Sequence, residues 1–202
     1  RRRHTRYGTV TGVQTCALPI FRSDPPTFRI GAGSCAFIND SAYDRPGKPY
    51  GGGYEIFTSI ANQHPDMFLW LGDNMYLREA DWSSVTGINA RYSHSRALPE
   101  MQSLLASCSN YAIWDDHDYG ANDSDRGFAQ KDLTRTAFMQ FWANPSYGLH
   151  GQGTCSMTSY GDVDIFLLDD RWWRSPNKST TGSREMLGAE QMQWLLDNLV
   201  SS

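Results

Sequence analysis

Met67-Phe68-Leu69-Trp70-Leu71-Gly72-Asp73 is a run of apolar residues that stops at a glycine and then an aspartate. A run this short, rich in aromatic and aliphatic side chains and closed by Gly, reads as a buried β-strand. The same grammar recurs three times. Phe28-Arg29-Ile30-Gly31-Ala32-Gly33 leads into Ser34-Cys35, and Tyr111-Ala112-Ile113-Trp114 into Asp115-Asp116-His117-Asp118. Val163-Asp164-Ile165-Phe166-Leu167-Leu168 leads into Asp169-Asp170-Arg171. Residues 54–62, 98–106 and 133–142 read as helices, the second opening with Pro99-Glu100 as a helix start should. Residues 188–199 form an amphipathic pattern whose stripe is Met192, Leu195, Leu196 and Leu199. Strands alternating with helices predict an α/β sheet with helical cover.

Each predicted strand ends in a potential ligand or acid–base group. Ligands of α/β sheets gather beyond the carboxyl ends of the strands, so these groups are expected to converge. One Asp after a strand is ordinarily a turn former or N-cap. Four strand ends of this kind, one with three carboxylates and a His in four residues, predict a clustered site instead. Carboxylates packed together repel one another unless cations neutralise them. Aspartate oxygens suit hard cations, and Cys35 and Tyr76 could give a transition metal softer or more covalent donors. With five histidines in the chain, scattered along it, a His-rich zinc site is excluded. Cations held by Asp with one His nearby suit hydrolysis of a phosphate ester by metal-activated water, the His protonating the leaving alkoxide.

Composition agrees. The 202 residues are 40% hydrophobic and carry a formal charge of −4. Five arginines and no carboxylate fall in residues 1–22, leaving 13 basic against 22 acidic residues, or −9, for the rest. A basic nucleic-acid-binding surface is therefore disfavoured. The acid is mostly Asp, 17 against 5 Glu, and short carboxylates favour turns and hard-cation ligation. No apolar stretch approaches the roughly 18 residues of a membrane span. Cys16, Cys35, Cys108 and Cys155 show no CxxC or CxxH spacing, which argues against a zinc ribbon.

Four motifs together resemble the PhoD-like alkaline phosphatases, a branch of the calcineurin-like metallophosphoesterases. They are Gly33-Ser34-Cys35, Leu71-Gly72-Asp73-Asn74-Met75-Tyr76, Trp114-Asp115-Asp116-His117-Asp118 and Leu168-Asp169-Asp170-Arg171-Trp172-Trp173-Arg174. The resemblance implies a four-layer α/β/β/α sandwich and hydrolysis of small phosphate mono- or diesters with Fe3+ and Ca2+. It implies that Cys35, Asp73 and Tyr76 ligate iron(III), with Asp73 bridging to calcium, and that Asp116 ligates the second metal. His117 would be the catalytic histidine, Asn122 a further ligand or phosphate contact, and Arg171 a bidentate partner of the substrate phosphate. It also implies frequent export. The chain departs from the family in two places: Glu79 stands two positions late after Tyr76, and no later Gly-Asp-x-His-type segment follows. The sandwich is therefore expected to be incomplete at its C-terminus. The rival expectation is a non-catalytic calcium-binding or structural fragment that has lost its C-terminal ligands.

Residues 1–20 are expected to be non-native. Their VQTCALPI run looks like translated sequencing adapter, and GTVTGVQTC is too polar for a signal-peptide core. Residues 21–202 are then the N-terminal part of a metallophosphatase domain. Asp123-Ser124-Asp125-Arg126-Gly127 lacks the ligand spacing of a calcium loop, and Gly51-Gly52-Gly53 lacks the Lys of a phosphate loop, so both read as turns.

Overall fold

The computed structural model describes residues 27–202, so the expectation for residues 1–20 lies outside the described residues. Three parallel strands form the main sheet in the order β1 (Ile30–Gly33), β2 (Met67–Leu71), β3 (Ser109–Ile113). The register sets Ile30 beside Met67 and Met67 beside Ser109. Parallel neighbours need a crossover. The first crossover carries α1 (Glu55–Ala61); the second carries α2 (Val85–Arg96) and α3 (Pro99–Ser107). After β3 come the single turn α4 (Asp116–Tyr119) and α5 (Lys131–Phe141). A separate antiparallel hairpin, β4 (Ser156–Tyr160) and β5 (Val163–Leu167), turns through Gly161-Asp162 and leads to α6 (Ala189–Ser201).

The core lies between the helices and one face of the sheet. Phe68 and Trp70 point into it with Phe57 of α1, Leu104 of α3, Phe138 of α5, and Trp142. β1 has glycine on that face because Phe68 occupies the space. A Cβ on Gly31 would fall 2.7 Å from the Phe68 ring. The opposite face is only partly covered: Met67 is buried there, while Ile30 is 38% and Leu71 44% exposed. The apolar runs predict strands buried on both faces, and the second face is covered only in part.

Besides the single turn α4, two elements have no counterpart in the sequence reading. The buried face of α2 is Ile88, Arg91, Tyr92 and Ser95, at helical spacing, but half of it is polar. Arg91 is tolerated there because its guanidinium pairs with Asp40 at 2.9 Å and Asp81 at 2.8 Å. The helix starts where Ser84 Oγ accepts the Gly87 amide at 2.9 Å. β4, Ser-Met-Thr-Ser-Tyr, is too polar to announce itself and is specified by its pairing with β5. In α6 the predicted stripe is only partly covered: Leu196 and Leu199 are each 51% exposed. No helix among the described residues is long and apolar enough to cross a membrane.

Candidate metal centre

The parallel sheet delivers Cys35, Asp73 and the Asp115–Asp118 turn to one edge, since all three follow the carboxyl ends of adjacent strands. The loops are stitched by backbone. The Cys35 amide donates to Gly72 O at 3.1 Å, the Ala36 amide to Asp73 O at 2.8 Å, and the Leu77 amide to His117 O at 3.1 Å. They pack so closely that a Cβ on Gly72, whose φ is +88°, would fall 2.6 Å from the Asp115 Cβ. Cys35 and Asp73 themselves hold left-handed backbone, at φ +60° and +51°. Such strain in non-glycine residues persists where surrounding contacts over-determine it, and it is common at functional sites.

Asp73, Asp116 and His117 offer ligand atoms that all lie within 4.8 Å of one another. The Tyr76 hydroxyl donates to Asp73 Oδ2 at 3.0 Å, and Cys35 Sγ lies 3.8 Å from the same oxygen. The Tyr76 ring lies 4.4 Å from that of His117. Asp73 Oδ1 accepts the His117 amide at 3.3 Å and Asp116 Oδ2 the Asp123 amide at 2.6 Å. Burial and the nearby Asp116 charge push the Asp73 carboxyl up. Asp116, despite burial, is held down by the Asp123 amide, His117 and Arg171. Burial and Asp73 push the Tyr76 phenol up. Two carboxylates, a phenol and a thiol around one point form a donor set that fits a transition-metal and hard-cation pair. Of the predicted site residues, the structure brings together the ligands Cys35, Asp73, Tyr76 and Asp116 and the catalytic candidate His117. Asn122 is exposed on the following loop, its Nδ2 donating to Asp123 Oδ2 at 2.8 Å.

The remaining acids of the motifs do different work. Asp118, fully buried, accepts the amides of Asn74 at 3.0 Å, Met75 at 3.3 Å and Asp115 at 3.0 Å. It fastens the Asp73 loop to the Asp116 loop. Asp169, equally buried, accepts the amides of Thr154 at 2.8 Å and of Arg171 and Trp172 at 2.9 Å. Gln191 of α6 grips its backbone from both sides, accepting the Asp169 amide and donating to the Asp169 carbonyl, each at 2.7 Å. The fourth strand-end acid therefore shapes the turn that aims Arg171.

Arg171 donates from Nε to Asp115 Oδ1 at 2.6 Å and from Nη1 to Ser124 O at 3.2 Å; Nη2 also pairs with Asp115. Asp170 Oδ2 lies 3.5 Å from Nε. The guanidinium thus straps β5's loop to both loops that frame Asp116. Arg171→Ala is expected to cost about 2–3 kcal/mol, because it leaves two acids facing each other without their cation. A thermodynamic cycle with Asp115→Ala should recover a coupling of at least ~1 kcal/mol in urea unfolding.

Asp170 also gives a pH signature. Burial and the Asp115 charge push its carboxyl up to about 7, against an ordinary 3.8. Between those values the folded chain holds a proton that the unfolded chain has lost, so stability falls as pH rises through the window. Asp73, Asp118 and Asp169 are shifted the same way. The metal-free protein should lose several degrees of melting temperature between pH 5 and 8, and Asp170→Asn should flatten that slope.

The cavity of about 550 Å³ lined by Phe28, Ile30, Ile60 and Phe68 lies at the amino ends of β1 and β2, away from the carboxylates, and no acid lines it.

Comparison with known proteins follows the same lines. The family model described as PhoD-like phosphatase matches residues 33–202. A solved structure titled "Structure of PhoD" superposes with a TM-score of 0.66 at 18% identity, covering 87% of this chain and 39% of that one. The chain thus spans well under half of that structure, and the likeness carries the fold. No curated protein matches the chain.

Proposed function

Because the chain belongs to the PhoD-like phosphatase family, we propose that it forms the front part of a metal-dependent phosphoesterase acting on small phosphate mono- or diesters. The observation that carries this reading is the convergence of Asp73, Asp116 and His117 within 4.8 Å, with Tyr76 and Cys35 beside them. Cys35, Asp73 and Tyr76 would hold iron(III), and Asp73 with Asp116 would hold calcium, since these donors suit those cations. When bound, the cations would activate water and offset the charge that develops on the phosphoryl group.

The chain's own groups supply the rest. Tyr76 donates its hydroxyl proton to Asp73 and would have to release it to act as a ligand. His117, braced by the Tyr76 ring, faces the cluster from α4 and can hand a proton to the departing alkoxide. Arg171 keeps its remaining N–H groups for the substrate phosphate while its bonds to Asp115 fix its plane. Asn122 would contact substrate at the rim. Residues 21–202 form the N-terminal part of the domain. The exposure of Ile30 and Leu71 on the second face of the β1–β3 sheet supports a sandwich architecture in which a second sheet covers them.

The test is metal uptake together with turnover. Loaded with iron(III) and calcium, the chain or a longer form carrying it should release nitrophenol from nitrophenyl phosphate esters, and a chelator should abolish release. The iron form should carry a visible charge-transfer band that Tyr76→Phe removes. Calcium-dependent thermal stabilisation with neither band nor turnover would favour the non-catalytic reading.

A further inference from the structure

We propose that the site selects esters whose alcohol part is planar and aromatic, the selectivity residing in a wall built by Phe37 and Tyr50. This rests on the phosphoesterase reading above and adds a substrate class to it.

The wall is a continuous row of rings that starts at the reacting centre. The Tyr76 ring lies 4.4 Å from the His117 ring, the Phe37 ring 5.0 Å from Tyr76, and the Tyr50 ring 5.4 Å from Phe37. The last two contacts are edge-to-face, with interplanar angles of 63° and 88°, so successive rings turn their faces in different directions. The inner end of the row is anchored. The Tyr76 hydroxyl is bonded to Asp73, and Arg78 stacks over Phe37 at 4.5 Å while its Nη2 donates to Ile38 O at 3.0 Å and its Nε to Asp44 Oδ1 at 3.0 Å. The outer end is open. Tyr50 remains 47% exposed, with the Arg45 guanidinium 4.3 Å from the ring centroid.

Direction matters here. His117 is the group placed to protonate the departing oxygen, so the alcohol leaves on the side where this row begins. An aliphatic alcohol gains little from ring edges and faces beyond its own area. An aromatic one gains the additional attraction of ring pairing, about 0.5–1.5 kcal/mol per contact, or roughly two- to tenfold in affinity. Phosphate held by Arg171 and the cluster fixes one end of the ligand. The wall then discriminates by the other.

Binding of non-hydrolysable phosphonates separates this from leaving-group reactivity. Calorimetry on the metal-loaded chain should give phenylphosphonate an affinity about tenfold above methylphosphonate, with inorganic phosphate also bound. Phe37→Ala with Tyr50→Ala should bring the ratio close to one. Tyr50→Ala alone, at an exposed position that the fold does not need, should lower it at least twofold, and Tyr50→Trp should raise it. Equal affinities in the native chain, or a ratio that survives Tyr50→Ala unchanged, overturn the proposal while leaving the phosphate site standing. If neither inorganic phosphate nor methylphosphonate binds, the phosphoesterase reading fails and the proposal falls with it.

Discussion

Asp118→Ala is expected to destabilise the protein by about 3–5 kcal/mol, the largest effect of any single surface-to-core change at this edge of the sheet. The carboxylate accepts three buried backbone amides, those of Asn74, Met75 and Asp115. Alanine would leave all three without partners, at about 1–3 kcal/mol each before relaxation. Burial pushes the Asp118 carboxyl well above its usual range, so charge supplies little of its value here. Its role is acceptor geometry. Asp118→Asn therefore keeps the shape and one acceptor oxygen and should lose about half as much. Urea unfolding reads both. Because Asp118 joins the loop carrying Asp73 to the turn carrying Asp116, metal uptake should weaken in step with stability. A loss below about 1 kcal/mol for Asp118→Ala would mean that the loops hold themselves together without it.

Asp118 also marks the boundary of what sequence could tell. Trp114-Asp115-Asp116-His117-Asp118 announces a strand end crowded with acid, and that much is legible because the chemistry is local. Which acid does what is not. Successive residues of a helix point about 100° apart, so Asp116 and Asp118 on the single turn α4 face opposite ways. One turns toward Asp73 and the other into the core. Asp115, one residue earlier, is taken by Arg171, 56 residues away in sequence. Val163-Asp164-Ile165-Phe166-Leu167 read correctly as a strand, but its sheet is not that of the other three, because the partner strand Ser156–Tyr160 has no apolar signature. In α2, an arginine on the buried stripe hid the helix from any hydrophobic count. Local period and strand-end position therefore carried β2 and the triad Asp73, Asp116, His117. Pairings between distant polar groups decided the rest.

Asp73→Asn should abolish hydrolysis, by at least ~10³-fold, while leaving the metal-free protein as stable as before or slightly more so. The asymmetry follows from what each Asp73 oxygen does. Oδ1 accepts the His117 amide and Oδ2 the Tyr76 hydroxyl, and an asparagine can keep the first bond through its carbonyl oxygen. What it removes is charge. Without a cation, that charge is a cost: burial and Asp116 already push the Asp73 carboxyl up. Removing it should relieve that repulsion at pH 8. With cations bound as proposed, the same charge would serve both of them, and neutral asparagine would weaken their hold. Asp116→Ala should match it in lost turnover but not in stability, because it strands the Asp123 amide now bonded at 2.6 Å. Turnover of nitrophenyl phosphate esters, metal content and chelator-treated melting curves on the two variants resolve the pair. A carboxylate placed for folding would lose stability first and activity in consequence. One placed for metal should show the reverse order, and full turnover in Asp73→Asn would remove Asp73 from the metal centre.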